Sequence, residues 1–245
     1  MPNHVSHHCI ITGPESEVSR FADKMICKSE KGHDTFDFNQ IIPMPELLRN
    51  TESSSIVMDG LALLGYESSF GMRKPVFVGK EKTLGDFLER TWVKKAGITT
   101  IDELEKELIK TRPDCVQRAQ RALEVLQKYG HTDWYSWSIE NWGTKWNSYG
   151  FDLLSKTANE IEFRFETAWS FPAPIFDALA KEFPELNIDV AGFDEGHCFC
   201  VIAQYGSGIN VVKYNEEKCD PENDPFSAGI YERAYGYSYE PYEEE

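Results

Sequence analysis

Three groups of side chains have residue types and spacings that could do chemistry. His4, His7 and His8 fall within five residues, and on a strand His4 and His8 share one face while His7 takes the other. Asp194-Glu-Gly-His-Cys-Phe-Cys200 gathers one histidine, two carboxylates and two thiols in seven residues, all of them ligand types that zinc accepts. His197, Cys198 and Cys200 are therefore the candidate metal ligands. No CxxC pair or HExxH helix accompanies them, and a CxC on an aromatic strand equally describes two buried thiols. Trp134, Trp137, Trp142 and Trp146 lie within 13 residues, with Lys145 among them. Trp142, Lys145, Trp146 and the later Trp169 form a candidate binding face, since a sheet that presents aromatic rings can stack single-stranded bases. The opposing reading makes Gly143-Thr-Lys-Trp146 a hairpin turn and lets the tryptophans pack sheet against helix.

Other chemistries find little support. Neighbouring strand residues point to opposite faces, so His197 as a base could not reach the Cys198 thiol. The chain has no GxSxG elbow and neither GxxxxGK[ST] nor GxGxxG, so ATP- or NAD-dependent chemistry is disfavoured and no cofactor is expected. A binding role is favoured over catalysis. The competing reading is a small metal-assisted enzyme built on the His197–Cys200 neighbourhood.

Charge narrows the partners. The 245 residues include 41 Asp and Glu against 25 Lys and Arg, a net charge of −16. Residues 1–150 hold 21 acidic and 19 basic side chains, whereas residues 151–245 hold 20 and 6. Such a field repels phosphates and favours basic partners or cations. The acidic segment also holds 17 of the 32 Phe, Trp and Tyr residues, so it is not simply a disordered acidic tail. The basic residues Lys94, Lys95, Lys106, Lys110, Arg112, Arg118, Arg121 and Lys128 alternate with acids and describe a solvated helix face. No run of 18 apolar residues occurs, which predicts no membrane helix. The N-terminus opens on polar residues without an apolar signal region, which predicts a cytoplasmic protein with six reduced cysteines.

These residues need elements to hold them. Residues 3–12 read as a strand, and Val18, Phe21, Ala22 and Met25 mark a helical stripe. Residues 35–42 then alternate, completing a β-α-β unit. Thr83 with Asp86 and Thr100 with Glu103 suggest capping boxes, and Pro113 to Gly130 brackets a further helix. Strands are expected at 134–141, 146–154 and 160–168, then a short helix after Pro172, and strands at 188–193, 197–205 and 209–214. The second β-α-β unit, 160–193, echoes the first. The fold class is α+β: ferredoxin-like β-α-β units in a largely antiparallel sheet with a helical insertion. The expected divisions are an N-terminal region at 1–82, a helical subdomain at 83–130, an acidic ferredoxin-like domain at 131–230 and a flexible acidic tail at 231–245.

Four blocks carry a resemblance. Met1-Pro-Asn-His-Val with Ile11-Thr-Gly-Pro, Phe36 to Pro45, Trp142-Gly-Thr-Lys-Trp-Asn147, and Phe165 to Pro174 running into Phe183-Pro184 resemble, in order, blocks of the Api92-like proteins. This group, also called YubB, is known from bacteriophages, prophages and conjugative plasmids. The resemblance implies a C-terminal ferredoxin-like domain and a mobile-element origin in a bacterial host, and it implies no reaction. With the charge, it leads to the expectation of an accessory protein that binds a host protein, such as a defence or DNA-binding protein, through an acidic surface. The alternatives are the metal-assisted enzyme and a single-stranded nucleic-acid module using the Trp cluster; direct nucleic-acid binding is disfavoured, and no membrane is involved.

Overall fold

The computed structural model describes residues 3–29, 32–52, 54–68, 74–206, 208–215 and 219–240. In chain order the elements are β1 (His4–Thr12), α1 (Glu15–Met25), β2 (Ile26–Lys28), β3 (Asp34–Phe36), α2 (Glu46–Arg49), α3 (Ser55–Leu63), β4 (Tyr66–Glu67) and β5 (Val76–Phe77). The helices α4 (Lys80–Leu88), α5 (Thr91–Lys95), α6 (Ile101–Thr111), α7 (Cys115–Tyr129) and α8 (Trp134–Asn141) follow. Then come β6 (Tyr149–Lys156), β7 (Glu160–Ala168), α9 (Ala173–Glu182), β8 (Asn187–Asp194), β9 (Cys200–Gly206), β10 (Ile209–Asn215) and α10 (Pro225–Tyr235). Two compact units result: residues 1–43 with 138–245, and residues 44–137.

The first unit is a six-stranded sheet in the order β10-β9-β8-β1-β7-β6, antiparallel at every pairing. Within it, β1-α1-β6-β7-α9-β8 is the ferredoxin-like β-α-β-β-α-β path, with residues 26–148 inserted between its first helix and its second strand. β9 and β10 extend the sheet beyond β8. Strand β1 is central: His7 lies opposite Phe165 of β7 and Gly192 of β8, and Cys9 opposite Phe163 and Val190.

The two faces bury different layers. On one, Phe21 of α1 packs with Phe163, Phe36 and Phe183, and Phe176 of α9 stacks near Phe171 and Tyr205. Each such ring contributes about 2–3 kcal/mol by leaving water. On the other face, Ala191, Phe193, Cys200, Cys219, Ile230 and Ala234 form a core under α10. Helix α10 is started by the Asp224 carboxylate, which accepts from the backbone N–H groups of Phe226 and Ser227, with Pro225 in the first turn. It ends at Gly236, where φ is +85° and any Cβ would lie 2.7 Å from the Arg164 guanidinium.

The second unit is mainly helical. The Thr100–Glu103 capping box is formed, and Gly130 closes α7 in the left-handed region. Leu84, Phe87, Val93, Leu104 and Leu108 share one core. The basic residues of the solvated helix face largely pair with acids, Lys94 with Glu89 and Arg121 with Glu124 among them. No helix among the described residues is long and apolar enough to cross a membrane.

Several expectations are corrected. Residues 134–141 form helix α8 rather than a strand, so the turn at Gly143 follows a helix and is not a hairpin. The alternation at 35–42 stops at Phe36: among the described residues β3 pairs only with β2, and a 3-10 turn follows at Phe38–Gln40, so the strand that answers β1 across α1 is β6. Thr83 starts no helix; it lies inside α4, and its hydroxyl donates to the Ala62 carbonyl. The divisions at 82, 130 and 230 also shift, because β1 belongs to the sheet of the C-terminal half and the helical unit runs from 44 to 137. Residues 231–235 are helical rather than tail, and residues 241–245 lie outside the described residues.

The central position of β1 makes a testable demand. Replacing residues 44–137 by a flexible linker should leave a cooperatively unfolding protein, whereas removing residues 1–25 should abolish the urea transition followed by circular dichroism. A cooperative transition in the chain that begins at residue 26 would contradict this topology.

Candidate functional site

One end of the sheet gathers the start of β1, the start of β6 and the ends of β7 and β8. Three short bonds tie its turns together. The Thr144 hydroxyl donates to the Ala168 carbonyl at 2.7 Å, Ser170 to the Gly143 carbonyl at 2.6 Å, and Ser138 to the Lys145 carbonyl at 2.8 Å. Gly143 is required here: its φ is +78°, and a Cβ would lie 2.7 Å from the Pro174 ring. The 143–145 turn is thereby laid against the 168–170 turn.

Lys145, Trp146 and Trp169 meet as a result. The Lys145 ammonium lies 4.6 Å from the Trp146 ring centre and 4.4 Å from that of Trp169, within cation–π range of both. Trp146 and Trp169 remain 37% and 42% exposed. Trp169 adopts φ +73°, a left-handed conformation that is strained for a bulky side chain, and its N–H donates to the Asn3 carbonyl at 3.0 Å.

Polar groups adjoin the rings. Tyr149 lies edge-on to Trp146 at 6.3 Å, and its hydroxyl donates to the Thr167 carbonyl at 2.9 Å. That hydroxyl proton is thus committed, so the His4 Nδ1–H donates to the Tyr149 oxygen at 2.8 Å. Glu166 is 3.8 Å from the same His4 nitrogen, and the Glu195 carboxylate accepts from the His4 backbone N–H at 2.7 Å. Burial, with some help from Glu195, raises the pKa of the Glu166 carboxyl.

The sequence grouped Trp142 with this face, and the structure does not. Its ring is buried edge-on to Phe38 at 6.0 Å, and its indole N–H donates to the Ile42 carbonyl at 2.8 Å. Three of the four expected binding residues therefore come together, and Trp142 is core. His4, Glu166 and Glu195, which gather around Tyr149, were missed because only the β1–β7–β8 register joins them.

The histidines divide between the faces as expected. His8 donates from Nε2 to Glu162 at 2.7 Å on the α10 side, and burial lowers its pKa. His7 is fully buried, stacked on Phe165 at 4.7 Å. Thr167 donates its hydroxyl proton to the Ser170 carbonyl, so it accepts from the His7 Nε2–H at 2.8 Å. His7 Nδ1 then carries a buried, unpartnered lone pair, facing Gly192, where a Cβ would lie 2.7 Å away.

The expected metal ligands separate. Strand β9 begins at Cys200, and His197 lies before it in the left-handed region at φ +59°. Its Nδ1 contacts the Cys219 carbonyl at 3.1 Å. Cys198 is exposed, with its pKa raised chiefly by Asp194. Cys200 is buried 3.9 Å from the Ser227 hydroxyl, and burial, together with Cys219, pushes its pKa up to about 12. Among the described residues no group of three or more His, Cys, Asp or Glu could hold a metal ion.

Comparison with known proteins bears on the sheet that carries the site. Residues 141–231 match the ferredoxin-like domain in Api92-like protein. The likeness covers this segment, 91 of the 245 residues. The match covers β6 to most of α10, and β1 and α1 complete the fold from outside it. The crystal structure of protein Api92 from Yersinia pseudotuberculosis is similar at a TM-score of 0.41 and 11% identity, over 90% of this chain and 100% of that one. A search of curated proteins finds no match.

Buried His7 sets a pH dependence. Burial holds its pKa at about 3 against an ordinary 6.5, so below 6.5 the unfolded chain takes up a proton that the folded protein refuses. Its contribution is complete above pH 6.5 and falls as pH drops toward 3, by up to about 1.4 kcal/mol per unit. Between pH 7 and pH 5 the wild type should lose about 2 kcal/mol more stability in urea unfolding than His7→Phe. Parallel pH profiles for the two proteins would contradict this placement of His7.

Proposed function

We propose that this chain is a non-catalytic accessory protein, encoded by a phage or plasmid, that acts in the bacterial cytoplasm by binding a host protein through an acidic surface. The observation that carries the reading is the 20 acidic against 6 basic residues of 151–245, in a segment that folds as sheet and helices rather than trailing as a tail. Exposed carboxylates sit at Asp152, Glu185, Glu195, Glu222, Glu232 and Glu240. Fixed on a rigid scaffold, such charges imitate the spaced negative charges of a phosphate backbone, and proteins that bind DNA carry the complementary basic surface. The mobile-element resemblance supplies the biological context, since a protein that blocks a host DNA-binding or defence protein would serve such an element.

Salt is the direct test. The Debye length shrinks from about 10 Å at 0.1 M to about 3 Å at 1 M salt. A host protein captured on the tagged chain from bacterial lysate at about 0.1 M salt should therefore be released at about 1 M. It should also be displaced by duplex DNA competing for the same basic surface. A partner retained equally at both salt concentrations would refute the electrostatic reading.

A further inference from the structure

We infer that Cys198, Cys200 and Cys219 form a reversible redox site: a small disulfide such as glutathione disulfide reacts at Cys198, and the oxidation ends as a Cys200–Cys219 disulfide beneath α10. This goes beyond the binding reading above and does not rest on it.

Three of the six cysteines gather at one place. Cys200, the first residue of β9, and Cys219 are both fully buried in the core under α10. Their thiols are hydrogen-bonded to each other, and the Ser227 hydroxyl of α10 lies 3.9 Å from the Cys200 sulfur. His197 holds Cys219 by its backbone. The Cys219 N–H donates to the His197 carbonyl at 2.9 Å, and the His197 Nδ1–H donates to the Cys219 carbonyl at 3.1 Å. The next residue, Cys198, is exposed, and the Cys219 thiol is close enough to act on its ionisation. The other three cysteines stand elsewhere, Cys9 on β1, Cys27 on β2 and Cys115 on α7. Two buried thiols alone would be inert packing. An exposed third thiol beside them gives an oxidant a way in.

The chemistry closes over three thiol–disulfide exchanges. The Cys198 thiolate attacks glutathione disulfide, forming a mixed disulfide and releasing one glutathione. The Cys219 thiol loses its proton to solvent, attacks the Cys198 sulfur and expels the second glutathione. Cys200, deprotonated in turn, attacks the Cys219 sulfur, and Cys198 leaves as a thiolate that takes back a proton. Two protein thiols are thereby oxidised, one glutathione disulfide is reduced to two glutathiones, and an added dithiol reverses the sequence. Burial raises the Cys200 pKa, which slows the last exchange, but the high effective concentration of a neighbouring sulfur offsets this. The product ties Cys219, just ahead of the Asp224 cap of α10, to the start of β9, and so fastens the approach to that helix onto the sheet.

The test treats the reduced full-length chain with glutathione disulfide under native conditions and follows the products by intact-mass and peptide-mapping mass spectrometry. A glutathione adduct on Cys198 should appear first and give way to a species lighter than the reduced chain by two hydrogens, with Cys200 linked to Cys219. Its melting temperature should exceed that of the reduced chain, since the bond closes the β9–β10 loop, and should return on adding dithiothreitol. Cys198→Ser should slow the linkage by about tenfold or more, because the exposed entry is gone. Cys219→Ser should stop the reaction at the Cys198 adduct. Cys9 and Cys115 are also buried, so they report on folding and should stay unmodified throughout. A stable Cys198 adduct or Cys198–Cys219 link in the wild type, with Cys200 still a thiol, would overturn the inference. So would linkage no faster than modification of Cys9 and Cys115, which would place the reaction in the unfolded chain.

Discussion

Strand β1 is hydrogen-bonded along both edges, to β7 on one side and β8 on the other, and is covered on both faces. A strand in that position has little solvent in which to place a polar group, so an unpaired one is costly. Only one nitrogen of His7 and one of His8 is paired, Nδ1 of both being left without a partner. His7 finds Thr167, and His8 finds Glu162. The same two ladders join the first residues of the chain to segments more than 150 positions away. They explain how residues 26–148 can be inserted without disturbing the sheet, since the ends of the insertion are held by the strands and helix that flank it.

The site follows from that constraint. The register that sets His4 opposite Ala168 and Val5 opposite Asp194 brings Asn3, His4, Trp169 and Glu195 to one end of the sheet. Side-chain bonds from Thr144 and Ser170 then add the 143–146 turn. The rings, the carboxylates and the histidine come from four separate stretches of sequence, and the site exists only when β1 is in place. The acidic field behaves differently: it is a sum over the whole C-terminal segment and depends little on any one residue.

Legibility in the sequence tracks how far each signal is local. Strand β7 alternates Ile161, Phe163 and Phe165 with Glu160, Glu162 and Arg164, and its boundaries are readable to the residue. The capping box at Thr100 and the glycine stop at Gly130 are equally local. Residues 134–141 misled because aromatic residues suit strands, while the signal for helix was the Asp133 carboxylate, which accepts from the Ser136 N–H. Helix α10 carried its own start in Asp224-Pro225 and its stop in Gly236, but the abundance of tyrosine and glutamate suggested a tail. Strand β1 could be recognised as a strand. Its central place could not, because Ser6, His7 and His8 look like solvent-facing residues until their partners on β7 are known. Trp142 illustrates the same limit: its spacing matched the binding tryptophans, and only the Ile42 carbonyl reveals it as core.

Native-state hydrogen exchange tests most directly whether β1 is the strand on which the unit depends. Amides of residues 5–11 in the full-length protein should exchange only through global unfolding, with protection equal to that of β7 and β8 and lost at the same urea concentration. Exchange of the β1 amides well before those of β7 would show that the N-terminal strand opens independently, and would contradict both the central role of β1 and the assembly of the binding end around it.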